Sequence, residues 1–127
     1  MADTGLILCD TDVIIEFYKG NSVISNELRI IGLDRMALSV ISAAELIYGA
    51  LNKKELKRIC NDIDSLNLLQ INQSINTKFI ELMKQYSLSH KLKIPDCLIA
   101  ATAIEYNIQL FTLNKKDFNF INSLELY

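Results

Sequence analysis

Short apolar runs that alternate with stretches of helical period constrain this chain more than any other feature of it. Residues 6–9, 36–40, 68–71 and 109–112 read as strands, and the first, Leu6-Ile7-Leu8-Cys9, is apolar at every position, the pattern of a strand covered on both faces. Between the runs, apolar side chains recur every three or four residues: Val13, Ile14, Phe17 and Tyr18; then Leu56, Ile59, Cys60 and Ile63; then Ile75, Phe79, Leu82, Met83 and Tyr86. These predict helices over 13–19, 53–66 and 74–89, with Gly20-Asn21 as the stop of the first and a further short helix over 25–31. Ser42 followed three residues on by Glu45 has the capping-box pattern, which predicts a helix over 42–50 with Glu45 in its first turn. Pro95 suits a first helical position, so Asp96 falls in the opening turn of a helix that Asn107 closes. Residues 114–118 are expected as a loop or short helix and 124–127 as a terminal strand. Parallel neighbours need crossover connections, so this alternation predicts an α/β fold with a mostly parallel central sheet.

At 127 residues the chain suits one core, and a single domain over 1–127 is expected. The formal net charge of -2 is not that of a protein that holds a polyanion by charge neutralisation alone; cations must help. Cys9, Cys60 and Cys97 are odd in number and widely spaced, which excludes a disulfide framework and points to a reducing, cytoplasmic setting. The N-terminus carries no basic region and the first apolar run stops at Asp10, so neither a secretory leader nor a membrane span is expected. With His90 the only histidine, two-histidine ribonuclease chemistry, zinc proteases and zinc deaminases are excluded.

Carboxylates remain. In a parallel sheet, ligands bind beyond the carboxyl ends of the strands. Asp10 and Asp12 follow the first strand, Glu45 the second, Asn114 and Asp117 the fourth, and Asp96 opens the helix before the fourth strand. Like charges crowded together resist ionisation unless a cation neutralises them. Oxygen donors select Mg²⁺ or Mn²⁺, and such ions with a few carboxylates serve phosphodiester hydrolysis without a covalent nucleophile. Cys9 and Cys97 adjoin these acids, but thiols suit neither ion and belong to the core. Lys91, Lys93, Lys115 and Lys116 lie beside the acids and are candidates to grip phosphates.

The segments Leu6-Ile7-Leu8-Cys9-Asp10-Thr11-Asp12-Val13, Ser42-Ala43-Ala44-Glu45-Leu46, Pro95-Asp96-Cys97-Leu98-Ile99-Ala100 and Thr112-Leu113-Asn114-Lys115-Lys116-Asp117 together resemble the motifs of the PIN-domain family, in its VapC toxin branch. The resemblance implies a three-layer α/β/α sandwich and a Mg²⁺- or Mn²⁺-dependent endoribonuclease that cuts tRNA or rRNA. It further implies a homodimer restrained by a VapB-type antitoxin. Carried over by position, Asp10, Glu45 and Asp96 match the metal-binding acids and Thr11 the small hydroxyl residue beside the first. The fourth acidic position is here Asn114, with Asp117 shortly after it, and either is a candidate to complete the site. Thr11, Ser42, Lys115 and Lys116 are candidates for positioning substrate. Two other readings fit parts of the pattern: a catalytically inactive binding domain, and a haloacid dehalogenase-type phosphatase with Asp10 as nucleophile and Asp12 as acid/base.

Overall fold

A computed structural model describes residues 5–127; residues 1–4, and with them the expectation drawn for the extreme N-terminus, lie outside the described residues. The elements run β1 (Ile7–Cys9), α1 (Thr11–Tyr18), α2 (Ser22–Ile31), β2 (Met36–Ser39), α3 (Val40–Tyr48), α4 (Lys53–Ser65), β3 (Asn67–Leu69), α5 (Gln73–Tyr86), α6 (Ile94–Tyr106) and β4 (Gln109–Phe111), with 3-10 turns at Leu33–Arg35 and Lys115–Asp117. The strands form one sheet in the order β3-β2-β1-β4, and every pairing is parallel.

Side-chain alternation along the strands builds two cores. Leu8, Ala37 and Leu110 point to one face, where they meet Ile75 and Leu82 of α5 and Ile99 and Ala103 of α6. Ile7, Cys9, Met36, Leu38 and Phe111 point to the other, where Val13, Ile24, Leu46 and Ile59 bring in α1 to α4. A sheet sandwiched this way must be apolar on both sides, which is why its strands read as continuous apolar runs. The α/β/α layering expected from the sequence is the observed one, and the sheet is wholly rather than mostly parallel.

Local chemistry sets most boundaries. Asn52 and Asn72 cap α4 and α5 by accepting from Glu55 N and Ile75 N, Pro95 lies in the first turn of α6, and Asn107 closes α6 in the left-handed conformation at φ 55. Three expectations are corrected. Asn21 does not merely stop α1; its side chain accepts from Val23 N and Ile24 N, so α2 begins at Ser22 instead of residue 25. The cap of α3 is Ser39, whose hydroxyl accepts from Ser42 N, so Glu45 lies in the second turn; the chain passes from strand to helix with no intervening loop. The terminal strand reduces to a single bridge between Leu110 and Leu126, because residues 115–124 are taken up by tight turns packed on α6 and β4. Among the described residues no helix is long and apolar enough to cross a membrane.

Chain order reverses at β1: β2 and β3 extend to one side, then the chain crosses back to place β4 on the other. The crevice beyond the carboxyl ends of β1 and β4 is therefore the topological switch point, where open α/β sheets bind ligands. Leu8, fully buried at the centre of β1, holds this arrangement. Leu8→Ala is expected to cost about 2–5 kcal/mol in urea unfolding; a loss below about 1 kcal/mol, typical of surface changes, would show that the sheet centre is not packed as described.

Candidate metal centre

Asp10 is the first residue after β1 and the N-cap of α1, and only 7% of it is exposed. Its Oδ1 accepts from Thr11 N, the first amide of α1, at 2.8 Å, and its Oδ2 accepts from the Thr112 hydroxyl at 2.8 Å. Thr112 follows β4 and is itself buried, so the bond ties the two strand ends that flank the crevice. A second tie runs parallel to it. Asp12 Oδ2 accepts from Leu113 N at 3.1 Å and from the Asn114 side-chain amide at 2.8 Å, while Asn114 N donates to the Thr112 hydroxyl at 3.1 Å. The Thr11 hydroxyl donates to Glu45 Oε1 at 2.7 Å, linking the start of α1 to the second turn of α3.

Burial raises the Asp10 pKa to about 6, with the charge of Asp12 and, to a lesser extent, Glu45 pushing the same way against the bonds from Thr112 and Thr11. Asp96, half-buried in the first turn of α6, is likewise raised to about 6 by burial, then by the charges of Asp10 and Asp117 and more weakly of Glu45, with Lys93 opposing. Asp12 is raised as well, by burial, and its Oδ1 is buried with no hydrogen-bond partner. Acids from β1/α1, α3, α6 and the turn after β4 thus share one negative field.

Everything these residues offer is oxygen, the donor chemistry of Mg²⁺ and Mn²⁺, and the neighbouring thiols do not compete: burial holds Cys9 up at about 12 and Cys97 up at about 11. Among the described residues, no three Asp, Glu, His or Cys side chains stand close enough together to hold a metal ion by themselves. An open set of donors suits an ion that keeps several of its waters. The residues therefore fit a hard divalent cation in donor type and in charge.

Of the residues singled out in the sequence, Asp10, Glu45 and Asp96 lie within range of one another's charge, and Asp117 within range of Asp96. Asn114 and Asp117 do different things: Asn114 binds Asp12, whereas the charge of Asp117 bears on Asp96. Lys115 and Lys116 are exposed on the 3-10 turn beside them. Ser42 is corrected: it is 0% exposed and accepts a 3.2 Å bond from the Ser39 hydroxyl, so it is closed off from any substrate. Thr112 carries one of the site's two longest-range ties, and the sequence alone assigns it no role. The available signal was a hydroxyl directly following an apolar strand, on the same sheet edge as Asp10.

A family model for the PIN domain matches residues 7–121. The chain is 32% identical to Ribonuclease VapC10 of Mycobacterium tuberculosis over 122 residues, which covers 94% of this chain and 91% of that protein. Among solved structures, a toxin-antitoxin complex from Klebsiella pneumoniae superposes with a TM-score of 0.79 at 30% identity, covering 93% of this chain and 94% of that one. VapBC2 of Rickettsia felis, bound to a DNA fragment from its promoter, superposes with a TM-score of 0.77 at 26% identity, covering 96% and 97%.

Two predictions follow from the electrostatics. Folding raises the Asp96 pKa from 3.8 to about 6, so the folded protein binds that proton more tightly than the unfolded chain. The associated stability is fully present below about pH 4 and lost as pH rises through about 6. Asp96→Asn should therefore stabilise the metal-free protein at pH 7.5, by about 1 kcal/mol after discounting for the water that reaches a half-exposed group, and change little at pH 4. Thermal melts at both pH values check this; an equal effect at both would remove the electrostatic cause. Thr112→Val leaves Asn114 N and one Asp10 oxygen without their partner and should cost about 1–3 kcal/mol at pH 7.5. Chemical unfolding that finds it neutral would show that the tie between the β1 and β4 ends contributes nothing.

Proposed function

Since this chain belongs to the PIN-domain family, we propose that it is a VapC-type toxin ribonuclease, a hydrolase of RNA phosphodiester bonds that uses Mg²⁺ or Mn²⁺ and is restrained by a VapB-type antitoxin. The single observation that carries the reading is the mutual crowding of Asp10, Glu45 and Asp96, acids from three separate elements, at the switch point of a parallel sheet. The relative named as a ribonuclease and the solved toxin-antitoxin complexes support the same conclusion.

Asp10, Glu45 and Asp96 would hold the ion. When bound, it supplies charge neutralisation at the phosphate and lowers the pKa of a water molecule. The chain's own contribution is orientation. Thr112 and the Thr11 amide fix both oxygens of Asp10, and the Thr11 hydroxyl aims Glu45. Asn114 holds Asp12 at the crevice wall, and Asp117 strengthens the negative field on Asp96 in the region where the family pattern has its fourth acid. Lys115 and Lys116, exposed on the adjacent turn, are placed to meet RNA phosphates, with tRNA or rRNA the expected substrate.

An apolar cleft lined by Ile14, Phe17, Leu28, Leu33 and Leu46 supports a protein partner such as an antitoxin, and the exposed side chains of Ile47, Tyr48 and Leu51 support a homodimer; a cytoplasmic setting is part of the same proposed reading. The phosphatase reading draws no support from the relatives, which are named as a ribonuclease and as toxin-antitoxin complexes.

Cleavage of bulk tRNA with Mn²⁺ tests the proposal. Asp96→Asn and Glu45→Gln should each lower the rate by more than about 100-fold, beyond the 10–100-fold that loss of a supporting partner costs, with melting curves still cooperative. EDTA should abolish cleavage by the unsubstituted protein. Cleavage that survives EDTA and both substitutions would refute the metal-dependent reading; no cleavage by the unsubstituted protein under any metal would favour the inactive binding domain.

A further inference from the structure

Outside the acid cluster, the turn between α5 and α6 presents a ring to solvent in an unusual way. The His90 imidazole lies flat on Phe120, with centroids 4.1 Å apart and planes 14° from parallel, and Tyr86 meets both rings edge-on at 5.6 and 5.1 Å. The ring is held there by its backbone: His90 N donates to Tyr86 O at 3.0 Å, Leu92 is buried two residues on, and Lys91 between them adopts the left-handed conformation at φ 52. A non-glycine residue in that region costs energy and persists only where its surroundings impose it. Tyr86 is buried beneath the stack while His90 is exposed, so one face of the imidazole is backed by protein and the residue stays open to water.

This stack joins the two segments that carry acids of the site. Phe120 lies three residues after Asp117, so their Cα atoms are within about 11 Å even for extended chain. On the other segment, His90 lies three residues before Lys93, whose charge is felt by Asp96. The same two stretches carry Lys84, Lys91, Lys93, Lys115 and Lys116 against the two acids Asp96 and Asp117, in a chain whose net charge is -2. An exposed aromatic ring on segments rich in lysine is the combination that binds single-stranded nucleic acid, where bases stack on rings and cations follow the backbone.

We propose that His90, backed by Phe120, is a stacking platform for one unpaired base of the RNA substrate, a few nucleotides from the phosphate that is cut. The inference rests on the ribonuclease reading and adds a substrate-binding role for a residue that takes no part in the chemistry. Stacking needs a flat ring, not an imidazole in particular, so another aromatic residue serves in its place.

The test measures fluorescence anisotropy of a fluorescein-labelled, random-sequence 12-nucleotide single-stranded RNA on Asp96→Asn protein in Mg²⁺, so that binding is read without cleavage. Adding His90→Ala should weaken binding roughly 5- to 150-fold, the value of one stacked base, whereas His90→Trp should keep the parent's affinity. In the Asp96-intact background, His90→Ala should raise KM for tRNA cleavage with kcat changed less than about twofold, the mark of lost uniform binding. Unchanged RNA affinity in His90→Ala, or a Trp variant as weak as the Ala variant with both folded by circular dichroism, overturns the platform while cleavage by the unsubstituted protein keeps the ribonuclease reading. Absence of both RNA binding by the parent and cleavage by the unsubstituted protein overturns the two together.

Discussion

Asp10 is a carboxylate almost closed off from water, with other acids in its field, and it is tolerable only because the chain supplies a donor to each of its oxygens. One donor is local, the Thr11 amide at the start of α1. The other comes from the far end of the sequence, 102 residues away, and exists only because β4 lies beside β1. The parallel pairing of these two strands, with the bond between Asp10 and Thr112 at its end, is what the site depends on. Without it Asp12 would also lose the loop that binds it, and the crevice would have one wall.

The two cores explain why that pairing is stable enough to bear the charge. Each strand contributes only three or four residues, yet buries alternate side chains under α1 to α4 on one side and α5 and α6 on the other. Short strands in a fully covered sheet can be rigid where longer exposed ones would not be. Each acid also emerges where an element begins or ends or within its first turns, so its position is set by a packed scaffold and not by a free loop. The cost is electrostatic, carried by Asp10, Asp12 and Asp96, all with raised pKa values, and the divalent ion of the proposed reading would offset it.

The same logic separates what surrounds the acids. Thr11 and Thr112 act on carboxylate oxygens directly, Asn114 acts on Asp12, and Ser42, which looks equally placed in sequence, is spent inside α3 on Ser39. Further out, the stacked rings of His90 and Phe120 lie on segments that also carry Lys91, Lys93, Lys115 and Lys116, the groups that the proposed RNA contact would use.

Periodicity, capping chemistry and the position of one proline are local properties, and they placed nearly every helix and strand and set Asp10, Asp12, Glu45, Asp96, Asn114 and Asp117 at one sheet edge; the choice of Asp10, Glu45 and Asp96 among them came from the resemblance to the PIN-domain family. They erred where two local signals compete over a few residues. Ser39 and Ser42 are both good caps, and only the length of β2 decides between them. Which side chains meet was another matter. That Thr112 reaches Asp10, that Asn114 turns to Asp12 while Asp117 bears on Asp96, and that His90 lies on Phe120 are contacts between segments far apart in the chain. Such contacts depend on strand order and on how the turns pack, which no window of neighbouring residues contains.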